Sequence, residues 1–358
     1  MPALTLLTTT LEDALLPRMD ASEVADRIKG MIQQELTTYK CQDYLAIHAE
    51  VRSTVRKQVD EDCRVKMTEW SYQVVDFCKF RRETVAMGMS YLDRFLSTPA
   101  GVRCLMDRKS YQLAAMTTLY MAIKLHEPLE METSLLADLS RGCYNEAEIA
   151  DMEGDILSAL EWRVMGPTPL SFVQHFLALL PSNVHATVAS AVMDYARFQT
   201  ELTVSDYSFV TCPYSHVAIA SVLNAVEGMD RKLFPLKQQG KFLRTLEKFS
   251  GILVEEVAET QTYLNNILID VFNMEESPLP SKSTSSPGSV TRVGIFRSTA
   301  SIELSKQSRH AVPQVATQGK PRPRKTSIHN SRTKDNSSPV GVVTEIRQTT
   351  RSRQPLIF

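Results

Sequence analysis

The segment Gly166-Pro167-Thr168-Pro169 constrains the fold more than any other stretch of this chain. Each proline removes a backbone N–H donor and drives its predecessor out of helical geometry, so no helix runs through it. On either side, apolar residues recur at helical spacing for about 100 residues. The segment therefore reads as a hinge between two helical blocks of similar size. A glycine count of only 13 in 358 residues agrees with helix.

In the first block the spacing predicts five helices. Cys63 to Lys79 places Val65, Trp70, Val74, Val75 and Phe77 on one broad face, and Glu83 to Leu96 does so with Val85, Met89, Leu92 and Phe95. Tyr111 to His126 is apolar almost all round, as a buried helix is. Ser134 to Leu139 is a shorter helix, and Asn145 to Trp162 carries Ile149, Met152, Ile156, Leu157 and Leu160. The second block repeats the count with Leu170–Leu180, Val184–Leu202, Tyr214–Val226, Gln238–Phe249 and Val254–Asp270. Ahead of both, Asp20-Ala21-Ser22-Glu23 has the acids of a first helical turn, and Val24, Ile28, Met31 and Ile32 continue a helix to Thr37.

The expected organisation is all-α: residues 1–20 disordered, 21–165 a first domain with its preceding helix, 166–273 a second domain, and 274–358 a disordered basic Ser/Pro-rich tail. The tail holds Ser277-Pro278 and Ser286-Pro287 and has too little apolar area to offset its ordering entropy. It carries 14 Lys+Arg against 5 Asp+Glu, a net +9, while 26 basic and 36 acidic residues leave the body at −10. A basic tail on an acidic body fits nuclear targeting or a phosphate-bearing partner; a merely soluble tail fits equally.

Several classes are disfavoured. No apolar run approaches the roughly 18 residues needed to span a bilayer, and Met1 to Asp20 lacks the pattern of a secretory signal. The six cysteines, at 41, 63, 78, 104, 143 and 212, form no Cys-x-x-Cys pair and read as reduced, mostly buried thiols, with no metal site. No phosphate-binding glycine loop, nucleophile elbow, His-Glu-x-x-His helix or kinase motif is present, so the chain reads as neither an enzyme nor a cofactor carrier.

What stands out is charge embedded in apolar helices: Arg64, Asp93-Arg94, Lys124 and Glu153. Charges near apolar surface are costly unless paired. Internal salt bridges or snorkelling side chains would account for them; so would contacts to a partner.

These positions carry a family resemblance. Tyr91-Leu92-Asp93-Arg94-Phe95-Leu96-Ser97, the helix from Gln112-Leu113 to Lys124, Met152-Glu153, Gly166-Pro167-Thr168-Pro169-Leu170-Ser171-Phe172 and Glu201-Leu202-Thr203-Val204-Ser205-Asp206-Tyr207 together resemble the cyclins over residues 20–272. The resemblance implies two tandem cyclin-like five-helix domains and a non-catalytic subunit that activates a cyclin-dependent Ser/Thr kinase to control cell-cycle progression; the Ser/Pro-rich tail and the lack of an N-terminal destruction motif fit a D-like member, with a mitotic or metabolic-response cyclin as the alternative. It assigns Lys124 and Glu153 to grip the kinase backbone, a Lys donating to carbonyls and a Glu accepting from amides. Leu125, Glu127, Leu157 and Leu160 are expected beside them. Reserved for a partner's main chain, this cation and anion are not expected to neutralise neighbours within their own helices.

The resemblance also implies a groove for Arg-x-Leu substrates or inhibitors, formed by Met67, Trp70, Gln73 and Gln112, and a structural pairing of Arg64 with Asp93. Cys63 and Lys66 depart from the larger apolar residues of that groove, and the Lys66 cation opposes an incoming arginine. His126 and Pro128 depart from the residues that usually follow the lysine. A rival reading is a cyclin-fold transcription factor or scaffold binding peptide or nucleic acid; an acidic body without a zinc ribbon argues against it, and neither nucleic acid nor membrane is expected as a partner. A helical repeat array would need a fixed period of roughly 34–47 residues, and none is present. In the tail, Lys320-Pro321-Arg322-Pro323-Arg324-Lys325 fits a nuclear localisation signal, giving an expected nuclear and cytoplasmic distribution.

Overall fold

The computed structural model of the chain describes residues 20–54 and 58–276. The expected disordered segments and every tail motif lie outside the described residues, apart from Asp20 and residues 274–276 of the final helix. Among the described residues there is no strand.

A first helix, α1 (Ala21–Leu36), is capped by Asp20, whose carboxylate accepts from Ser22 N. Two short helices follow, α2 (Tyr44–Ile47) and α3 (Ala49–Ser53). The first domain then comprises α4 (Glu61–Cys78), α5 (Glu83–Leu96), the short α6 (Val102–Met106), α7 (Arg108–His126), α8 (Thr133–Leu139) and α9 (Glu146–Ala159). The second comprises α10 (Pro169–Leu177), α11 (Ala186–Ser205), α12 (Tyr214–Glu227), α13 (Leu236–Ser250) and α14 (Ala258–Glu276). Short 3-10 turns at Tyr207–Phe209 and Val254–Val257 punctuate it.

Both domains are built round their most apolar helix. Every residue of α7 from Ala114 to Ile123 is buried, and α4, α5, α6 and α9 pack on it. In the second domain α12 takes that place, buried at nearly every position and flanked by α10, α11 and α14. The hinge prolines start rather than merely break a helix. Pro169 occupies the first turn of α10, where its missing donor costs nothing, and Thr168 caps it by accepting from Ser171 N at 3.0 Å.

Two of the boundaries that differ from those predicted have a clear local reason. α7 begins three residues early because Asp107 caps it, its carboxylate accepting from Ser110 N at 2.8 Å. α9 ends before Trp162 because Glu161 and Trp162 turn left-handed, φ 52° and 60°. There Glu161 N donates to Ser158 O and Trp162 N to Leu157 O, closing the helix as a glycine usually would. The short helices α2, α3 and α6 are too brief to show periodicity.

α1 precedes the first domain in sequence but packs on the second. Val24 and Ile28 join Phe172, Phe176, Phe234 and Phe242 in one apolar cluster. Glu35, buried near the end of α1, accepts from Ser215 N at 3.0 Å and from the Ser215 hydroxyl, so it caps α12 from outside. Burial raises its carboxyl above the ordinary value, against the opposing effect of those hydrogen bonds.

The crossing of α5 and α7 depends on one missing side chain. A Cβ on Gly88 would lie 3.1 Å from Leu119 Cα and 3.3 Å from Thr118 O, both backbone atoms that cannot swing aside. Gly88→Val is therefore expected to cost about 1–3 kcal/mol, measured as a lower urea midpoint. Gly30→Ala, with nothing within 4 Å of its Cβ, should not lower it.

Candidate functional site

Lys124 stands in the last turn of α7, where a cation is favoured by the exposed carbonyls. Glu153 stands on α9, which packs beside α7. The two meet: Lys124 Nζ donates to Glu153 Oε1 at 2.9 Å. Neither charge is neutralised within its own helix; in the free chain they pair with each other, because adjacent helix faces bring them within reach. The pair is not sealed. The Lys124 side chain is 52% exposed and that of Glu153 18%, and an ion pair so exposed is worth only about 0–1 kcal/mol. The hydrogen bond to Glu153 raises the Lys124 pKa, so the charge persists at any physiological pH.

Around the pair the surface is apolar in part. Leu125 is 44% exposed and Leu157 half-buried. Leu160 is buried and supports the surface from below. Glu127 faces inward, its side chain only 3% exposed. It accepts from Arg81 N at 3.1 Å and from the Thr84 hydroxyl. Glu127 thus ties the end of α7 to the segment that enters α5, which has no side-chain cap of its own. Sequence reasoning missed Trp162, 73% exposed directly after α9, and Met165, also exposed. A tryptophan ending an apolar helix reads as core; its exposure comes from the left-handed turn at Glu161 and Trp162.

His126 lies behind this surface. Tyr91 donates its hydroxyl to Val164 O at 2.6 Å, so the 2.8 Å contact with His126 Nε2 requires that nitrogen to carry the proton. Burial first, and then the nearby Arg81 charge, lower the His126 pKa, which keeps the ring neutral at pH 7.

A second set of residues lies on α4 and α7, which pack together. Met67 is buried, Trp70 half-buried and Gln73 exposed, all on α4. Gln112, half-buried on α7, sits 3.3 Å from the Tyr144 hydroxyl. Cys63 is buried and Lys66 half-buried on the same helix.

Arg64 and Asp93 tie this scaffold together. Arg64 Nε and Nη2 donate to the two Asp93 oxygens at 3.0 and 2.8 Å, and Nη1 donates to Val204 O at 2.7 Å. Tyr44 adds a hydroxyl donor to Asp93 at 3.0 Å. One buried fork thus joins α4 and α5 to α11 of the second domain. Burial, the largest single effect, acts to lower the Arg64 pKa, but the Asp93 charge and its hydrogen bonds, with smaller contributions from Tyr44 and Tyr111, together raise it.

Known families match this arrangement. Residues 26–165 match the family model of the cyclin N-terminal domain, and residues 167–286 that of the cyclin C-terminal domain. The chain belongs to the cyclin family. Among curated cyclins, the G1/S-specific cyclin-D1 of Danio rerio is 29% identical over 175 residues, 49% of this chain and 58% of that one. The G1/S-specific cyclin-D1 of Xenopus laevis is 28% identical over 214 residues, 59% of this chain and 68% of that one. The matches thus span about three-fifths to two-thirds of these relatives' length. A viral cyclin from Herpesvirus saimiri shares the fold at TM-score 0.50 and 17% identity, covering 71% of this chain and 100% of that structure. Among this cyclin's described residues, no group of three or more His, Cys, Asp or Glu is placed to hold a metal, and no helix is long and apolar enough to cross a membrane.

Proposed function

We propose that this cyclin is a non-catalytic regulatory subunit that binds and activates a cyclin-dependent Ser/Thr kinase in cell-cycle control. One observation carries the reading: a cation and an anion, Lys124 in the last turn of α7 and Glu153 midway along α9, converge at a partly apolar surface. Such a pair offers donors and acceptors together, which is what a partner's main chain requires. Leu125 and Leu157, with Trp162 and Met165 in the following segment, supply exposed apolar area. Opening the internal ion pair costs little, since it is worth about 0–1 kcal/mol in solvent. Leu160 and Glu127 act indirectly, by holding the helices that display these groups.

Bound there, the cyclin favours the kinase conformation in which the regulatory-helix Glu pairs with the ATP-binding Lys. It acts by population shift and adds no catalytic group of its own. The likeness to G1/S-specific cyclins supports a role in cell-cycle progression. The α4 face with Met67, Trp70 and Gln73, together with Gln112, is the proposed docking place for Arg-x-Leu segments, weakened by the Lys66 charge. The basic cluster at 320–325 supports a nuclear as well as cytoplasmic location.

Affinity purification of the full chain from its own cells tests the reading. A cyclin-dependent kinase is expected to co-elute, and its activity on a Ser/Thr peptide to rise with added chain. Kinase activity independent of the chain, or salt-dependent retention on DNA in place of a kinase, would overturn it.

A further inference from the structure

Arg94 is the neighbour of Asp93 in sequence and its opposite in environment. Only 6% of Arg94 is exposed, yet among the described residues no carboxylate forms an ion pair with it, and Nη1 has no hydrogen-bond partner. Asp93 cannot serve, since both its oxygens are taken by Arg64. The other ionisable groups that act on Arg94 are Cys41, Tyr214, Tyr39 and Tyr91. Burial pushes the Cys41 thiol up to about 12 and raises the phenols of Tyr91 and Tyr214, so these three stay neutral near pH 7. Burial lowers the pKa of Arg94 itself, but a guanidinium remains charged throughout. The molecule therefore buries one positive charge without its counter-charge, an arrangement that costs heavily unless something pairs with it.

Arg94 lines a small cavity of about 50 Å³, with Tyr39, Tyr91, His126 and Gly166 among its other walls and with Asp93, already held by Arg64, also at its edge. That is several times the roughly 10–15 Å³ that one water needs. The Tyr39 ring fixes the arginine from one side, with Cζ 4.7 Å from the ring centroid. Gly166 in turn fixes the ring: a Cβ there would lie 2.5 Å from Tyr39 Cδ1. The cavity is walled by the linker after α1, by α4, α5 and α7, by the hinge, and by α11 and α12 of the second domain.

We propose that this cavity binds a single small monovalent anion, chloride or a carboxylate, on the Arg94 guanidinium. One uncompensated charge calls for one negative charge. A dianion such as phosphate would need a second cation, and the other arginine at the cavity, Arg64, is already paired with Asp93. The guanidinium fork suits a carboxylate as well as a halide. The anion would fasten the linker and the hinge to α5, at the joint between the two domains.

Thermal unfolding of the full chain at constant ionic strength tests this, with sodium chloride, sodium acetate and sodium gluconate as the three salts. Gluconate is too bulky for the cavity and serves as the baseline. A ligand that binds only the folded state raises the midpoint in proportion to the logarithm of its concentration above Kd. The midpoint is expected to rise saturably with chloride or acetate over gluconate. The 35Cl NMR line should broaden with the native chain and sharpen with Arg94→Met. Arg94→Lys keeps the charge without the fork, and should move the response to higher anion concentration; it also serves if Arg94→Met fails to fold. A rise with acetate alone would assign the site to a carboxylate, and with chloride alone to the free halide. Equal midpoints in all three salts would mean that water fills the cavity, and would overturn the proposal. So would broadening that persists unchanged in the Arg94 variants, since the chloride would then sit elsewhere.

Discussion

Arg64→Met is expected to destabilise the chain by about 3–5 kcal/mol, the cost of breaking a buried ion pair from one side. Set against the roughly 5–15 kcal/mol that holds a typical domain folded, this is the largest loss a single side chain here should produce. The reason lies in what remains behind. Asp93 would keep only the Tyr44 hydroxyl as donor, at 3.0 Å, in a site nearly closed to water. Val204 O would lose its donor as well, and with it a link between the domains. Asp93→Leu alone should cost a comparable amount by stranding the guanidinium. Combining the two, Arg64→Met with Asp93→Leu, removes both charges, and should recover a large part of the loss because neither is left unpaired. Urea unfolding followed by far-ultraviolet circular dichroism reads all three. A single-variant loss below about 1 kcal/mol, the scale of an exposed ion pair, would show that solvent reaches this fork.

How far the sequence reveals this molecule depends on the range of the interaction concerned. Periodicity is local, and it placed α5 at Glu83–Leu96 with both ends right. It marked α7 as buried all round, which the run from Ala114 to Ile123 shows. It failed where a single side chain sets a boundary, as with the Asp107 cap or the left-handed turn at Glu161 and Trp162. It also gave α1 to the domain that follows it, whereas Val24 and Ile28 are buried with Phe172 and Phe176. The charges show the limit most plainly. Arg64, Asp93, Arg94, Lys124 and Glu153 look alike in sequence: each is a charge set among apolar residues. In the fold they meet three fates. Arg64 and Asp93 satisfy each other in the interior, Lys124 and Glu153 do so at the surface, and Arg94 forms no ion pair among the described residues. Pairing across 29 residues is a property of helix packing, and no periodicity encodes it. Glu127 is the same lesson reversed: expected at a partner-binding surface, its carboxylate is drawn in to Arg81 N and the Thr84 hydroxyl at the start of α5.

The mutual pairing of Lys124 and Glu153 makes an unusually clean test of kinase binding possible. Exchanging them, as Lys124→Glu with Glu153→Lys, re-forms an ion pair between α7 and α9 with its polarity reversed. Folding should be unaffected within about 1 kcal/mol, because the original pair is exposed and worth no more than that. A partner, however, meets an anion where its carbonyls expect a donor and a cation where its amides expect an acceptor. Losing such a desolvated charged contact costs about 2–5 kcal/mol of binding, a weakening of roughly 30-fold or more in Kd. Lys124→Ala should fall between, since it removes an attraction without adding a repulsion. Calorimetric titration of the purified kinase into each chain measures the effect, with the urea midpoint as the check on folding. If the exchanged chain binds the kinase as tightly as the native one, the Lys124–Glu153 pair is a fastener between two helices and nothing more, and the kinase must dock elsewhere.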